Sequence, residues 1–398
     1  MSRTSNDDLR LLPTMSPCQI YRIPLPQTSS ISFESLFKDV DSRTREFFCE
    51  LTKSRAAFTR CCQADALSGA VDAIDAYVPA ISALALDAKT KIELFARVPL
   101  KVQWSTPLST RYQFTMLAST NASDRFMIEH VFVLLSAGLC LRHLAREQLL
   151  AAGDSRNVDL FVQQSILACK TLHSAAGIFE HIQTVLLPSW PAALRGIPEL
   201  NESFYEMLCK LSLAESQSIA ARRAVARGLP LARRLLAGAA ELWNQTVALL
   251  EPLSKQEGRI RLVLVYARLC AAQHSARVQW IGAFEAHERM AFGESCALYR
   301  AAVATLTTAE AKEARARHEG GAIEQAFFDG SSAELARLES AFQFANAENN
   351  SAFFEPEPRL STLPAVEPAI IVKPELFQPA ACAAIVDVQF EQKTCTVQ

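Results

Sequence analysis

Phe204–Leu250 reads FYEMLCKLSLAESQSIAARRAVARGLPLARRLLAGAAELWNQTVALL. It is two helical runs separated by Gly228-Leu229-Pro230. Before the break, Leu208, Leu211, Ala214, Gln217 and Ile219 recur at roughly helical spacing, and the run closes on Arg222, Arg223 and Arg227. After it, Leu231, Leu235, Leu242 and Leu249 fall four or seven residues apart, on one face of a helix. Pro230 suits the first turn, where its missing N–H costs nothing. The two runs predict an antiparallel helix pair. Five arginines and no acid lie between Arg222 and Arg234, with leucines interleaved. Such a surface suits an acidic amphipathic helix, which meets leucine in a groove and guanidinium on its rim. The same pattern also fits a core helix pair with a solvated arginine face.

The 398 residues exceed the usual size of one domain, so two domains or one elongated helical domain are both compatible with the length. Half the residues are hydrophobic and only 13 are glycine, which favours helix over sheet. A net charge of −2 argues against a general nucleic-acid binder, whose footprint is strongly basic. The 11 cysteines form no CxxC and no regular framework, and Ser2–Leu12 is polar and of mixed charge, unlike a signal peptide. They read as reduced thiols in the cytosol. The apolar run Val131–Leu141 is shorter than the roughly 20 residues that cross a bilayer, so a soluble chain is expected.

Along the chain, residues 1–16 read as a flexible lead and Gln19–Leu25 as a short edge strand, restricted by Pro24 and Pro26. Helices are expected from Ser30 to Cys62 and from about Ala64 to Thr90. Leu100–Trp104 alternates as a half-buried strand, with Arg111–Leu117 as its hairpin partner. From Ser123 to about residue 347 the pattern is helical: one helix to Gly153, one over Val158–Leu187, the pair quoted above, one or two over Glu257–Thr307, and a last over Thr308–Asn346. Helices this long, joined by short loops, make a bundle or a solenoid. Pro356, Pro358, Pro364, Pro368, Pro374 and Pro379 then punctuate an extended segment laid back over the helices.

The chemistry is at the end. Cys395-Thr396-Val397-Gln398 has the layout of a prenylation box, whose last residue is of the farnesyl class. One lipid binds membranes only marginally, and Lys393 is the sole cation close by, so a second contact is expected from the folded domain. Nucleotide-loop, zincin and nucleophile-elbow motifs are absent. Cys169/His173 and Cys270/His274 sit four apart on helices, but two ligands do not close a metal site, and they read as core residues. No catalytic residue, metal or cofactor is expected.

Several stretches, in order, resemble the BRO domain family. They are Val102-Gln103-Trp104; Ile128-Glu129-His130 through Leu139; Lys170-Thr-Leu-His-Ser-Ala-Ala-Gly-Ile-Phe179; Ala291-Phe292-Gly293-Glu294-Ser-Cys-Ala-Leu298; and Asn349-Asn350 to Phe353 followed by Leu363-Pro364 and Ile371-Val372-Lys373-Pro374. The likeness covers about residues 17–380, and with the terminal box it resembles the farnesylated members built of a BRO domain alone. It implies a mostly α, boomerang-shaped domain with a solenoid (TPR-like) core and a small N-terminal antiparallel sheet. It divides into strands and first helices (17–120), helical core (121–347) and proline-rich strap (348–380), with a flexible 381–398 tail.

It also implies a monomeric, non-enzymatic adaptor on the cytoplasmic side of endosomal or other membranes. Such an adaptor binds the C-terminal amphipathic helix of ESCRT-III subunits of the charged multivesicular body protein four (Snf-seven) type. The family's apolar patch then falls on Leu231 and Leu235, with Arg223, Arg234 and Lys170 as its basic neighbours. Ala220 stands where the family has phenylalanine, and Phe353 where it has tyrosine, so phosphorylation there is not expected. The alternative is a helical scaffold for another acidic peptide, or for a cytoskeletal or nuclear-envelope partner.

Overall fold

Among the described residues, nine helices of 20 to 32 residues carry the fold. The computed structural model describes residues 19–36, 41–63, 67–86, 103–108, 114–116, 122–153, 158–189, 198–225, 227–254, 258–314 and 322–379. The helices are α1 (Ser42–Gln63), α2 (Leu67–Leu86), α3 (Ala122–Gly153), α4 (Val158–His181), α5 (Glu202–Val225), α6 (Leu229–Ser254), α7 (Gly258–Glu288), α8 (Phe292–Glu313) and α9 (Ala322–Glu348). The chain divides into two units. One comprises residues 1–21, 145–173 and 210–373, and the other 22–144, 174–209 and 374–398.

In the second unit a buried carboxylate gathers distant elements. Glu129 of α3 accepts from Arg55 Nε of α1 (2.7 Å), the Tyr77 hydroxyl of α2 (3.0 Å) and Trp104 Nε1 (2.7 Å). Arg55 also donates to Thr28 Oγ1 and the Ser29 carbonyl, both at 2.7 Å. Glu129, Arg55, Tyr77, Trp104 and Thr28 are all buried, so the charges are stable only because each is neutralised and hydrogen-bonded in place. The strands are minimal: Gln103–Ser105 (β1) pairs antiparallel with Phe114–Met116 (β2) over three residues. The strand expected over Gln19–Leu25 does not form. That stretch is extended, and one bridge from Thr28 to Trp104 ties it to β1, because its prolines cannot donate to a ladder. No sheet layer exists among the described residues.

Two further expectations are corrected. The helix expected after Ser30 is a single turn, Phe33–Leu36; α1 starts afresh at Ser42, where Asp41 caps it by accepting from the amides of Arg43 (2.9 Å) and Thr44 (3.0 Å). The apolar run placed at Val131–Leu141 extends over Phe126–Ala151, long and apolar enough by composition to cross a membrane. Of the residues in its 18-residue apolar window, 89% are buried inside the protein, as in a core helix.

In the first unit α6, α7, α8 and α9 pack on one another in sequence. Trp280 and Phe284 of α7, Tyr299 and Leu306 of α8 and Leu338 of α9 share one core. A buried pair, Arg277 with Glu334, is bidentate at 2.6 Å. Of the one or two helices expected over Glu257–Thr307, two form, and the break falls at Met290, which adopts a left-handed φ of 59°. The amide of Ala291 reaches the carbonyl of Ala286 (2.9 Å) and that of Met290 the carbonyl of His287 (2.8 Å), the double bond of a helix C-cap usually closed by glycine. Nothing in the composition of that loop marks the stop.

Two core histidines make the fold acid-sensitive. His130 of α3 is fully buried with neither ring nitrogen hydrogen-bonded, and burial, aided by nearby His181, pulls its pKa to about 3. Burial, with Arg277 close by, likewise pulls His274 of α7 to about 3. Between the unfolded value near 6.5 and about 3, the unfolded chain binds protons that the folded one refuses. Stability is therefore full above pH 6.5 and falls with decreasing pH, by up to about 1.4 kcal/mol per pH unit for each histidine. His130→Phe should keep the stability at pH 7 and remove about half of the histidine-dependent loss between pH 6.5 and 5, measured by urea unfolding at each pH.

Candidate functional site

The arginine-rich corner belongs to the first unit. α5 ends at Val225, and the chain turns through Gly228, whose φ of 151° few other residues adopt. Both Arg227 and Gly228 donate back to the Ala224 carbonyl, at 2.8 and 3.1 Å. α6 restarts at Leu229 with Pro230 in its first turn, as its fixed φ favours.

The five arginines take different roles. Arg222 lies over the ring of Phe161 on α4, 5.1 Å from its centroid. Arg233 points inward to the Val278 carbonyl (3.1 Å) and Glu285 (2.9 Å) on α7, its guanidinium lying against Gly282, where a Cβ would collide with it. Arg234 is exposed and bonds Glu367 at 3.0 Å. Arg223 is half-buried and Arg227 exposed. The acids missing from the arginine run are supplied from far along the chain.

The two leucines also separate. Leu231 is 47% exposed, whereas Leu235, one turn on, is 4% exposed and packs with Ala221, Ala224, Leu236 and Ile281. Leu235 is thus a floor beneath the surface, and Leu231 is the apolar group presented. On α4, Lys170 is exposed beside Ile166 and Leu167, which are 38% and 45% exposed three and four residues away and were not singled out in the sequence. α4 and α5 are tied by His173 to the Ser216 hydroxyl (2.9 Å) and by Cys169 to the Ser216 carbonyl (3.6 Å). Ala220, half-buried, lies one turn beyond Ser216 on α5. Exposed or half-buried apolar and basic side chains thus occur on each of the three helices: Ile166, Leu167 and Lys170 on α4; Ala220 and Arg223 on α5; Leu231 and Arg234 on α6.

What covers Leu235 is the strap. Gln217 of α5, fully buried, donates to the carbonyls of Ala369 (2.8 Å) and Leu235 (3.0 Å) and accepts from the Ile371 amide (3.2 Å). The Ala369 amide in turn donates to the Arg234 carbonyl at 3.0 Å. The Ala369 carbonyl rests on α6 at Gly238, where any Cβ would strike it. Asn349 repeats the device, bonding both the amide (3.0 Å) and the carbonyl (2.9 Å) of Glu355. Gly293 of α8 lies under the Pro356 carbonyl, and Phe292 stacks on Phe353. In the second unit Gly177 of α4 lies under the Glu375 carbonyl.

The cysteine–histidine pairs are absorbed in packing: Cys169 and His173 by Ser216, and His274 by the Cys270 carbonyl at 2.7 Å. No group of three or more potential metal ligands occurs among the described residues. Cys395 lies outside the described residues.

The profile of the BRO1-like domain family matches residues 29–395. Solved structures share the fold. The ALIX BRO1 domain in its complex with CHMP4C superposes with a TM-score of 0.68 at 16% identity, covering 92% of this chain and 97% of that one. ALIX in complex with the SIVmac239 PYKEVTEDL late domain gives 0.68 at 17% identity, over 90% of this chain and 49% of that one. A Bro1 domain, described for endosomal targeting, gives 0.66 at 14% identity, over 91% and 93%. Among curated proteins, none matches the sequence significantly.

Replacing Gln217 by leucine removes the hydrogen-bond partner of the Ala369 carbonyl and the Ile371 amide and orphans the Leu235 carbonyl beneath them, at about 1–3 kcal/mol for a group that stays shielded from water and less for one that water reaches. Gln217→Leu should therefore lower the melting temperature and speed amide exchange at Ile371 more than within α7. Unchanged exchange there would show that the strap is held by other contacts.

Proposed function

The chain belongs to the BRO1-like domain family, and from that premise we propose that it is a non-enzymatic adaptor whose α4–α5–α6 face binds an acidic amphipathic helix. ESCRT-III subunits of the charged multivesicular body protein four type supply such a helix. The observation that carries the reading is Leu231, a half-exposed leucine on α6, and the proposed rim of its surface is Arg223, Arg234 and Lys170. The helix lays its apolar side on Leu231, Ile166 and Leu167, and its carboxylates face the cations. The ALIX BRO1–CHMP4C complex supports this choice of ligand. Ala220 removes an aromatic anchor, and such anchors carry about 2–4 kcal/mol, so the remaining contacts give a weaker complex than a full patch would.

The second half of the proposal concerns Cys395. Its thiolate displaces diphosphate from a prenyl diphosphate to form a thioether, and the lipid brings the adaptor to the cytoplasmic face of endosomal or other membranes.

Leu231→Asp puts an unpaired charge into the apolar contact. It should weaken binding of an ESCRT-III C-terminal helix at least tenfold in calorimetry, with the melting temperature unchanged because Leu231 is exposed. Equal affinity would remove this surface from the interface. Glu367 competes with the ligand's carboxylates for Arg234 through an exposed pair, which is worth at most about 1 kcal/mol. Glu367→Ala should thus tighten the same peptide by about two- to fivefold at low salt and by less at high salt.

A further inference from the structure

A cleft of about 380 Å³ opens in the second unit between α2, α3, α4 and the end of the strap. Its walls are Val71, Ile74 and Val78 of α2, Leu141 of α3, Ile178 of α4 and Phe377. Among the described residues, Asp75 and Gln378 are the only polar side chains lining it, and no cation does. Pro79 stands inside α2 at this point, where it interrupts the helix's hydrogen-bond ladder. The volume lies within the range of small-molecule sites, about 300–1,000 Å³. An acidic peptide finds no partner here, but a hydrocarbon does.

The wall of the cleft is also where the tail departs. Phe377, Gln378 and Pro379 line it, and Phe377 is fixed edge-on to His181, with ring centroids 5.2 Å apart. Cys395 follows 16 residues after Pro379. A chain of that length reaches about 50 Å when extended, ample to fold back to its own origin. The lipid of Cys395 is therefore tethered at high local concentration to an apolar site of suitable size.

We propose that this cleft receives the isoprenoid of Cys395 in the unbound protein, so that the lipid is sheltered from water until a membrane competes for it. The proposal rests on the lipidation reading given above. A single prenyl chain binds membranes only marginally, so an internal site of even modest affinity shifts the protein between membrane and solution.

The test uses the full chain, unmodified and farnesylated at Cys395 by purified farnesyltransferase, with the modification verified by intact mass. The probe is N-acetyl-S-farnesylcysteine methyl ester, titrated by calorimetry. The unmodified chain should bind one probe, and Val71→Trp and Leu141→Trp, which fill the cleft from half-buried positions, should weaken it at least tenfold without lowering the melting temperature. The farnesylated chain should bind no probe, a comparison that needs no variant. Failure of the unmodified chain to bind, or equal binding by the tryptophan variants or by the farnesylated chain, would overturn the proposal. If the transferase leaves Cys395 unmodified, the lipidation reading fails and takes the occupant with it, while the probe titration still reports on the cleft by itself.

Discussion

An extended chain laid across helices has a problem that a strand in a sheet does not: no neighbouring backbone satisfies its amides and carbonyls. In the first unit two amide side chains stand in for the missing neighbour. Gln217 accepts from Ile371 and donates to Ala369, the alternation a paired strand would offer, and Asn349 bonds both backbone groups of Glu355. The second requirement is closeness. The carbonyls of Pro356 and Ala369 come so near the helix axes that only glycine fits beneath them, at Gly293 and Gly238. The leucine–arginine surface depends on this seating. It buries Leu235, leaves Leu231 open, and sets Glu367 against Arg234.

Charge follows the same logic of distant partners. A run of five arginines without an acid is electrostatically unfavourable as a local feature, yet only some of them face solvent alone. Arg233 is spent on Glu285 and the Val278 carbonyl, Arg222 on the face of Phe161, and Arg234 on the strap. The basic character offered to a partner is thus smaller than the sequence count implies, and part of it is held in reserve by an exposed, salt-sensitive contact.

Helix content and the turn at Gly228-Leu229-Pro230 were legible because each is a local signal, periodicity or a breaker, whereas the stretches around Gly177 and Gly293 were legible only through their resemblance to the family. The stop at Met290 was not, since a left-handed methionine replaces the glycine that would have marked it. Gln217 reads in the sequence as one polar member of an apolar face, and its role becomes visible only with Ala369 and Ile371 placed 152 and 154 residues away. Leu231 and Leu235 share a helical face and spacing, but exposure depends on what the strap covers. Ile166 and Leu167 carry no local mark at all.

The proposed interface is small in energy, and this constrains how it could work. Leu231 is one leucine, worth roughly 1.5–3 kcal/mol if fully buried, and Ala220 adds little where an aromatic would add several. The cations contribute on the rim, where salt screens them. A soluble helix would therefore be held weakly and released fast. The proposed prenyl chain in the same molecule would change the arithmetic, because a membrane that carries the partner would turn two marginal contacts into one bivalent attachment. On the proposed function, the weakness of each contact makes the adaptor respond to the coincidence of partner and membrane instead of to either alone.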